Sequence, residues 1–100
     1  MLTRKKIVLG VSGGIAAYKM ANVASMLSKL HADIHVVMTE NATHFITPET
    51  FEVLTGNHCY TDTFDRCMEL HVPHIALGTQ ADAILIAPAS ADVVGKIANG

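Results

Sequence analysis

The sequence predicts an α/β domain: an open, doubly wound parallel sheet with strand order 3-2-1-4. Three observations carry that expectation. Ile7-Val8-Leu9-Gly10-Val11 and Ala83-Ile84-Leu85-Ile86-Ala87 are unbroken apolar runs, the pattern of parallel strands covered on both faces rather than of edge strands that alternate in polarity. After the first run, Ala16, Met20, Val23, Leu27 and Leu30 recur at spacings of four, three, four and three, the stripe of an amphipathic helix. Strand-like and helix-like segments then alternate along the chain without repeats, low-complexity stretches or a linker, which is the order of a layered α/β sheet.

Each element has its own justification. Ile34-His35-Val36-Val37-Met38 is the second strand and completes a βαβ unit with a right-handed crossover. A helical pair is expected over 41–46 and 48–55, with Thr47 as cap, Pro48 at the first helical position and Gly56 closing the end. A short third strand falls near His58-Cys59-Tyr60, and His74 to Gln80 reads as a short helix after Pro73. Ala83 to Ala87 is the second central strand, and the segment after Pro88 reads as a helix capped by Ser90. Four strands leave one side of the fourth unpaired, an edge that needs cover.

Composition narrows the function classes. One hundred residues, half of them hydrophobic, suit a single domain with one sheet and its covering helices. The net charge is −2 and the only basic run is Arg4-Lys5-Lys6, too short for a nucleic-acid tract. No apolar stretch approaches the roughly 18 to 20 residues of a membrane span. The N-terminus reads as a strand entry rather than a signal peptide, so a cytoplasmic protein without membrane or nucleic-acid partners is expected. Cys59 and Cys67 are then free thiols, small and buried. His58, Cys59, Cys67, His71 and His74 fall within seventeen positions, but the spacing matches neither paired CxxC nor HExxH, and no metal is assigned.

The fold class locates the site. If the connection reverses between strands one and four, ligands sit at the carboxyl ends of the strands flanking that reversal. The loops there are Ser12-Gly13-Gly14 and Pro88-Ala89-Ser90, with Thr39 beside them. A glycine loop between strand and helix aims backbone amides and a hydroxyl at the positive end of the helix dipole, an anion site whose natural occupant is phosphate. The loop is neither a Walker loop nor a full GxGxxG, and its glycines also suit a plain tight turn. Gly10 to Gly14 spells G-x-S-x-G, and Asp62 or Asp65 followed by His74 supplies a hydrolase order, but nothing precedes the first strand to build an oxyanion hole. Glu40 after the second strand keeps a nicotinamide-nucleotide reading open. His74 is a candidate base or an ordinary histidine.

Four blocks then occur in order: Val11-Ser12-Gly13-Gly14-Ile15-Ala16-Ala17-Tyr18-Lys19; Val37-Met38-Thr39 with Phe45-Ile46-Thr47-Pro48; His74-Ile75-Ala76-Leu77; and Ala87-Pro88-Ala89-Ser90-Ala91-Asp92. Together they closely resemble the homo-oligomeric flavin-containing cysteine decarboxylases, over essentially the whole chain. The resemblance implies a Rossmann or flavodoxin-like fold with FMN as cofactor, held by Ser12, Gly13, Gly14, Thr39, Ser90, Ala91, Asp92 and Val93, and His74 as the active-site base. It further implies decarboxylation of phosphopantothenoylcysteine to phosphopantetheine in coenzyme A biosynthesis, often on a chain fused to a ligase. The alternative is a non-catalytic flavin-binding or regulatory module. The family's last loop commonly reads Ala-Asn-Thr where this chain has Ala91-Asp92-Val93, which removes an amide donor and a hydroxyl. The family domain is longer, so residues 1–100 correspond to its N-terminal part, with the substrate-recognition motif and the cysteine-bearing flap beyond Gly100. A homotrimer or an assembly of trimers is implied, with a neighbour completing part of the flavin site; Ala17, Ala21, Ala24 and Met26 suit packing against another chain and intramolecular packing alike.

Overall fold

The computed structural model describes residues 5–14, 16–87 and 94–97. Strand β1 (Lys6–Val11) leads into helix α1 (Ala16–Lys29) and strand β2 (Asp33–Thr39). A short 3-10 turn (Asn41–His44), helix α2 (Pro48–Thr55) and strand β3 (Cys59–Asp62) follow. A helical stretch then runs through α3 (Phe64–Arg66), a π-helical turn (Cys67–His71) and α4 (Val72–Thr79) to strand β4 (Ala83–Ala87), with β5 (Val94–Ile97) last. The sheet order is β3-β2-β1-β4-β5. The first four strands are all parallel, in the expected order, with Leu9 of β1 opposite Val36 of β2 and Leu85 of β4.

Side chains alternate across a strand, and β1 supplies both cores because both alternating sets are apolar. Ile7, Leu9 and Val11 join Met20 and Ala24 of α1 and Phe51 of α2 on one face. Val8 joins Val37, Cys67, Val72 and Ile75 on the other, against the π-helical turn and α4. The continuous apolar run is the sequence signature of this double coverage, and each fully buried Leu, Val or Phe side chain contributes about 1.5–3 kcal/mol. Ala17 and Ala24 are buried in this chain's own core, whereas Met26 of the same helix is exposed.

The helix ends follow their local chemistry. Lys29 lies in the last turn of α1, where a cation meets the negative end of the dipole. Thr47 stands extended at the N-cap before Pro48, but its hydroxyl meets the Thr50 hydroxyl at 3.1 Å instead of capping a helix amide, while Gly56 adopts φ 76°, the left-handed conformation that closes α2.

Two elements depart from expectation. The helix before β4 begins at Phe64 rather than His74, because Thr63 caps it by accepting the Arg66 amide at 3.4 Å. Pro73 suggested a boundary, since a proline in a helix clashes with the carbonyl four residues back. That carbonyl belongs to Glu69, inside the widened π-helical turn, which gives the ring room. Secondly, the helix expected after Pro88 is replaced, where the chain is described, by β5, antiparallel to β4. Residues 88–93, including Ser90, Ala91, Asp92 and Val93, lie outside the described residues. The six intervening positions are too few for a parallel crossover, which needs about a dozen, so the chain returns antiparallel. In doing so it pairs the edge of β4 that four strands alone would leave bare.

Candidate functional site at the carboxyl ends of the central strands

The chain leaves β1 to one side for β2 and comes back to its other side as β4. The reversal lies between β1 and β4, the place at which doubly wound sheets take ligands, at the carboxyl ends of the strands. Ser12, Gly13 and Gly14 follow β1, and Thr39 ends β2 in the position expected. Gly13 has φ 119° and Gly14 φ 69°, conformations that L side chains resist, so the sharp exit from β1 depends on both. The Ala17 amide donates to the Gly14 carbonyl at 3.1 Å, which starts the first turn of α1 directly above the loop.

Ser12 and Thr39 are the buried polar side chains among the described residues, 5% and 3% exposed. The Thr39 hydroxyl accepts the Ala42 amide at 3.2 Å and so anchors the 3-10 turn to the end of β2. That turn brings Asn41 over the glycine loop: a Cβ added at Gly13 would stand 2.7 Å from the Asn41 amide nitrogen. The cradle is thus built from backbone on one side and a carboxamide on the other, and a side chain at Gly13 would have to push that carboxamide aside. Nothing local in the sequence marks Asn41, because its contact is made across 28 positions of chain. Tyr18 and Phe45 form an edge-to-face pair with ring centroids 6.5 Å apart, both half exposed, joining the first turn of α1 to the segment after the 3-10 turn.

His74 is elsewhere. It is exposed on α4, on an outward stripe with Leu70 and Leu77, the latter 81% exposed. Since β3 and β4 are parallel, the helical stretch between them runs from the carboxyl edge of the sheet to the amino edge. His74 stands ten residues beyond Phe64 along that path. The chain therefore brings Ser12, Gly13, Gly14 and Thr39 together at the strand ends, while His74 lies exposed on α4.

The remaining histidines and cysteines are engaged separately. Asp62, at the end of β3, accepts His71 Nε2 at 2.8 Å and Arg66 Nε at 3.2 Å on one oxygen and the Thr63 amide at 2.8 Å on the other. The bond from His71, then that from Thr63 and the charge of Arg66, hold its carboxyl below the usual carboxylate value. Asp62 is thus committed to His71, not to His74 as a hydrolase order would require. His58 Nδ1 meets Glu52 Oε2 at 3.0 Å. The buried Cys67 thiol donates to the Met38 carbonyl at 3.2 Å, and burial pushes its pKa up. Burial, with Glu52 nearby, pushes Cys59 up to about 12. Both thiols are free, and among the described residues no group of three or more His, Cys, Asp or Glu is placed to hold a metal ion. Glu40 is exposed, with its backbone in the 3-10 turn.

This cradle lies inside a wider pattern of sequence. The family model described as Flavoprotein matches residues 1–100. The chain belongs to the Flavoprotein family. Within that family it is 44% identical over 100 residues to the coenzyme A biosynthesis bifunctional protein CoaBC of Bacillus subtilis (strain 168), covering all of this chain and 25% of that protein. It is 44% identical over 99 residues to the CoaBC of Escherichia coli (strain K12), covering 24% of it. The chain thus spans about a quarter of these relatives. Among solved structures, the FMN-dependent cysteine decarboxylase SpaF superposes with a TM-score of 0.63 at 30% identity, over 89% of this chain and 51% of that one. TvaF, from thioviridamide biosynthesis, superposes with a TM-score of 0.60 at 22% identity over 85% and 52%, a likeness of fold. The Flavoprotein fold is therefore the doubly wound sheet that the apolar runs announced.

Proposed function

We propose that this chain is the flavin-binding part of an FMN-dependent decarboxylase that converts phosphopantothenoylcysteine to phosphopantetheine. The observation that carries the reading is the cradle: two left-handed glycines at a strand-to-helix corner, overhung by the Asn41 carboxamide, where the φ of Gly13 strains any other residue. A phosphate fits such a corner, because amides at a helix N-terminus present partial positive charge without a counter-ion of their own. The likeness to CoaBC across the whole chain supports the substrate class, and the likeness to SpaF supports FMN.

In this reading Ser12, Gly13 and Gly14 hold the phosphate end of FMN, with Thr39 beside them and Ser90, Ala91, Asp92 and Val93 closing the site from the β4 side. A carboxylate beside an amide-bearing carbon has no electron sink, and bound FMN supplies one by accepting hydride from the carbon that bears the thiol and later returning it. The work of the protein is orientation, proton transfer and exclusion of water. His74 takes the thiol proton. Its place on an exposed stripe with Leu70 and Leu77 supports a site completed by a neighbouring copy: packing would bury the two leucines and leave the imidazole facing the neighbour's flavin. The functional unit is accordingly a homotrimer or an assembly of trimers, in the cytoplasm, where Cys59 and Cys67 stay reduced.

The test is His74→Asn in the FMN-loaded protein. Loss of a positioned general base typically costs about a hundredfold to ten-thousandfold in rate, so yellow, folded, oligomeric protein with little carbon dioxide release is expected. Activity close to that of the parent would remove His74 from the reaction, and a colourless protein would reassign it to cofactor binding.

A further inference from the structure

We propose that His71 is a positioning residue for His74, acting through its bond to Asp62; the inference rests on the reading of His74 as the base. Cys67, Val72 and Ile75 hold the inner side of the helical stretch in the second core. Apolar burial is non-directional. It fixes how far the helix stands from the sheet, but only weakly how it is rotated about its axis or slid along it.

The Cys67 thiol's bond to the Met38 carbonyl ties the start of the π-helical turn, and the directional contact at its end comes from Asp62. That residue is itself held on several sides: it pairs with Thr39 in the sheet, its carbonyl accepts the Glu40 amide at 2.8 Å, and its carboxylate takes three donors. Two of those donors, the Thr63 amide and Arg66 Nε, lie at the entry of the helical stretch. The third, His71 Nε2 at 2.8 Å, lies a full turn further on, at the last residue of the π-helical turn. The Tyr60 ring packs beside the imidazole with centroids 5.9 Å apart. A π-helical turn is the least regular part of a helix, and such turns recur at functional sites. Here it is tied off where it passes into α4. His74 follows His71 by three residues, the spacing that puts two side chains on neighbouring parts of one face. The bond to Asp62 therefore sets the rotation of the turn from which the base projects.

The experiment compares His71→Leu, which removes the donor, with His71→Gln, which keeps an N–H for Asp62, in the FMN-loaded protein. A small misplacement of a reacting group can cost about a hundredfold, so His71→Leu is expected to stay yellow and lower kcat by about tenfold to a hundredfold. KM should hold within about twofold, the mark of a change not made in ground-state binding. His71→Gln should recover kcat to within about threefold of the parent, because the directional bond is restored. The imidazole resonances of His74, followed by NMR, should shift or broaden in His71→Leu and return in His71→Gln. Asp62→Asn weakens the same bond from the other side and should give the same split, which keeps the test open if His71→Leu does not fold. Parental kcat in these variants, or a glutamine no better than leucine, overturns the inference while His74→Asn remains inactive. If His74→Asn is active, the base assignment fails instead, and the His74 resonances still decide whether His71 positions it.

Discussion

Gly13 shows how much one residue can decide. Its φ of 119° lies where L side chains are strained, and a Cβ there would stand 2.7 Å from the Asn41 amide nitrogen. Backbone strain of that kind costs about 1–3 kcal/mol, and the clash adds a displacement of Asn41 from the cradle. Gly13→Ala is therefore expected to lose flavin, read as bleaching, and to melt earlier. Combining it with Asn41→Ala should remove the clash and leave the strain, so that stability returns only in part. Full colour and an unchanged melting temperature in Gly13→Ala would show that the loop does not approach a ligand. The glycines were legible in the sequence because a strand, a glycine loop and a helix follow one another directly. Asn41 was not, since its role depends on two loops meeting at the end of a sheet.

At the level of elements, legibility tracked burial. β1 and β4 could be read from their apolar runs, and α2 from its proline and glycine ends. β3 was harder: it is an edge strand, with Tyr60 and Thr61 exposed, and carries little apolar signal. The helical stretch from Phe64 was read only in its second half, because a π-helical turn has no period to recognise and Pro73 imitates a start. What joins β3 to that stretch is polar, and its pH dependence has a definite sign. The bonds from His71 and Thr63 and the charge of Arg66 lower the folded pKa of Asp62 from its ordinary 3.8. A carboxyl depressed by folding stabilises fully above its unfolded value and loses that contribution as pH falls through the folded one. Asp33 at the start of β2 behaves likewise, its partial burial outweighed by bonds from Asn57 and His35. Asp62→Asn should thus lower the melting temperature near neutrality and flatten its fall below about pH 4. Parallel melting curves for variant and parent across that range would show that the tie adds nothing to stability.

Across the whole molecule, the two faces of the sheet are not equals. Among the described residues, the core under α1 and α2 gathers twelve buried side chains, whereas the core under the π-helical turn and α4 gathers six. Proteins open in cooperative units whose free energies differ from region to region, and units with less buried apolar area open more often. The lighter leaf is the one that carries His74. Amide hydrogen exchange should reveal two tiers, with the amides of α4 exchanging through a partial opening and those of α1 and the central strands only with global unfolding. Equal protection in α1 and α4 would mean that the sheet and both layers open as one. With two tiers, the scaffold that holds the glycine loop stays closed while the helix bearing the proposed base detaches and returns. The base can then be lost and regained without releasing the cofactor.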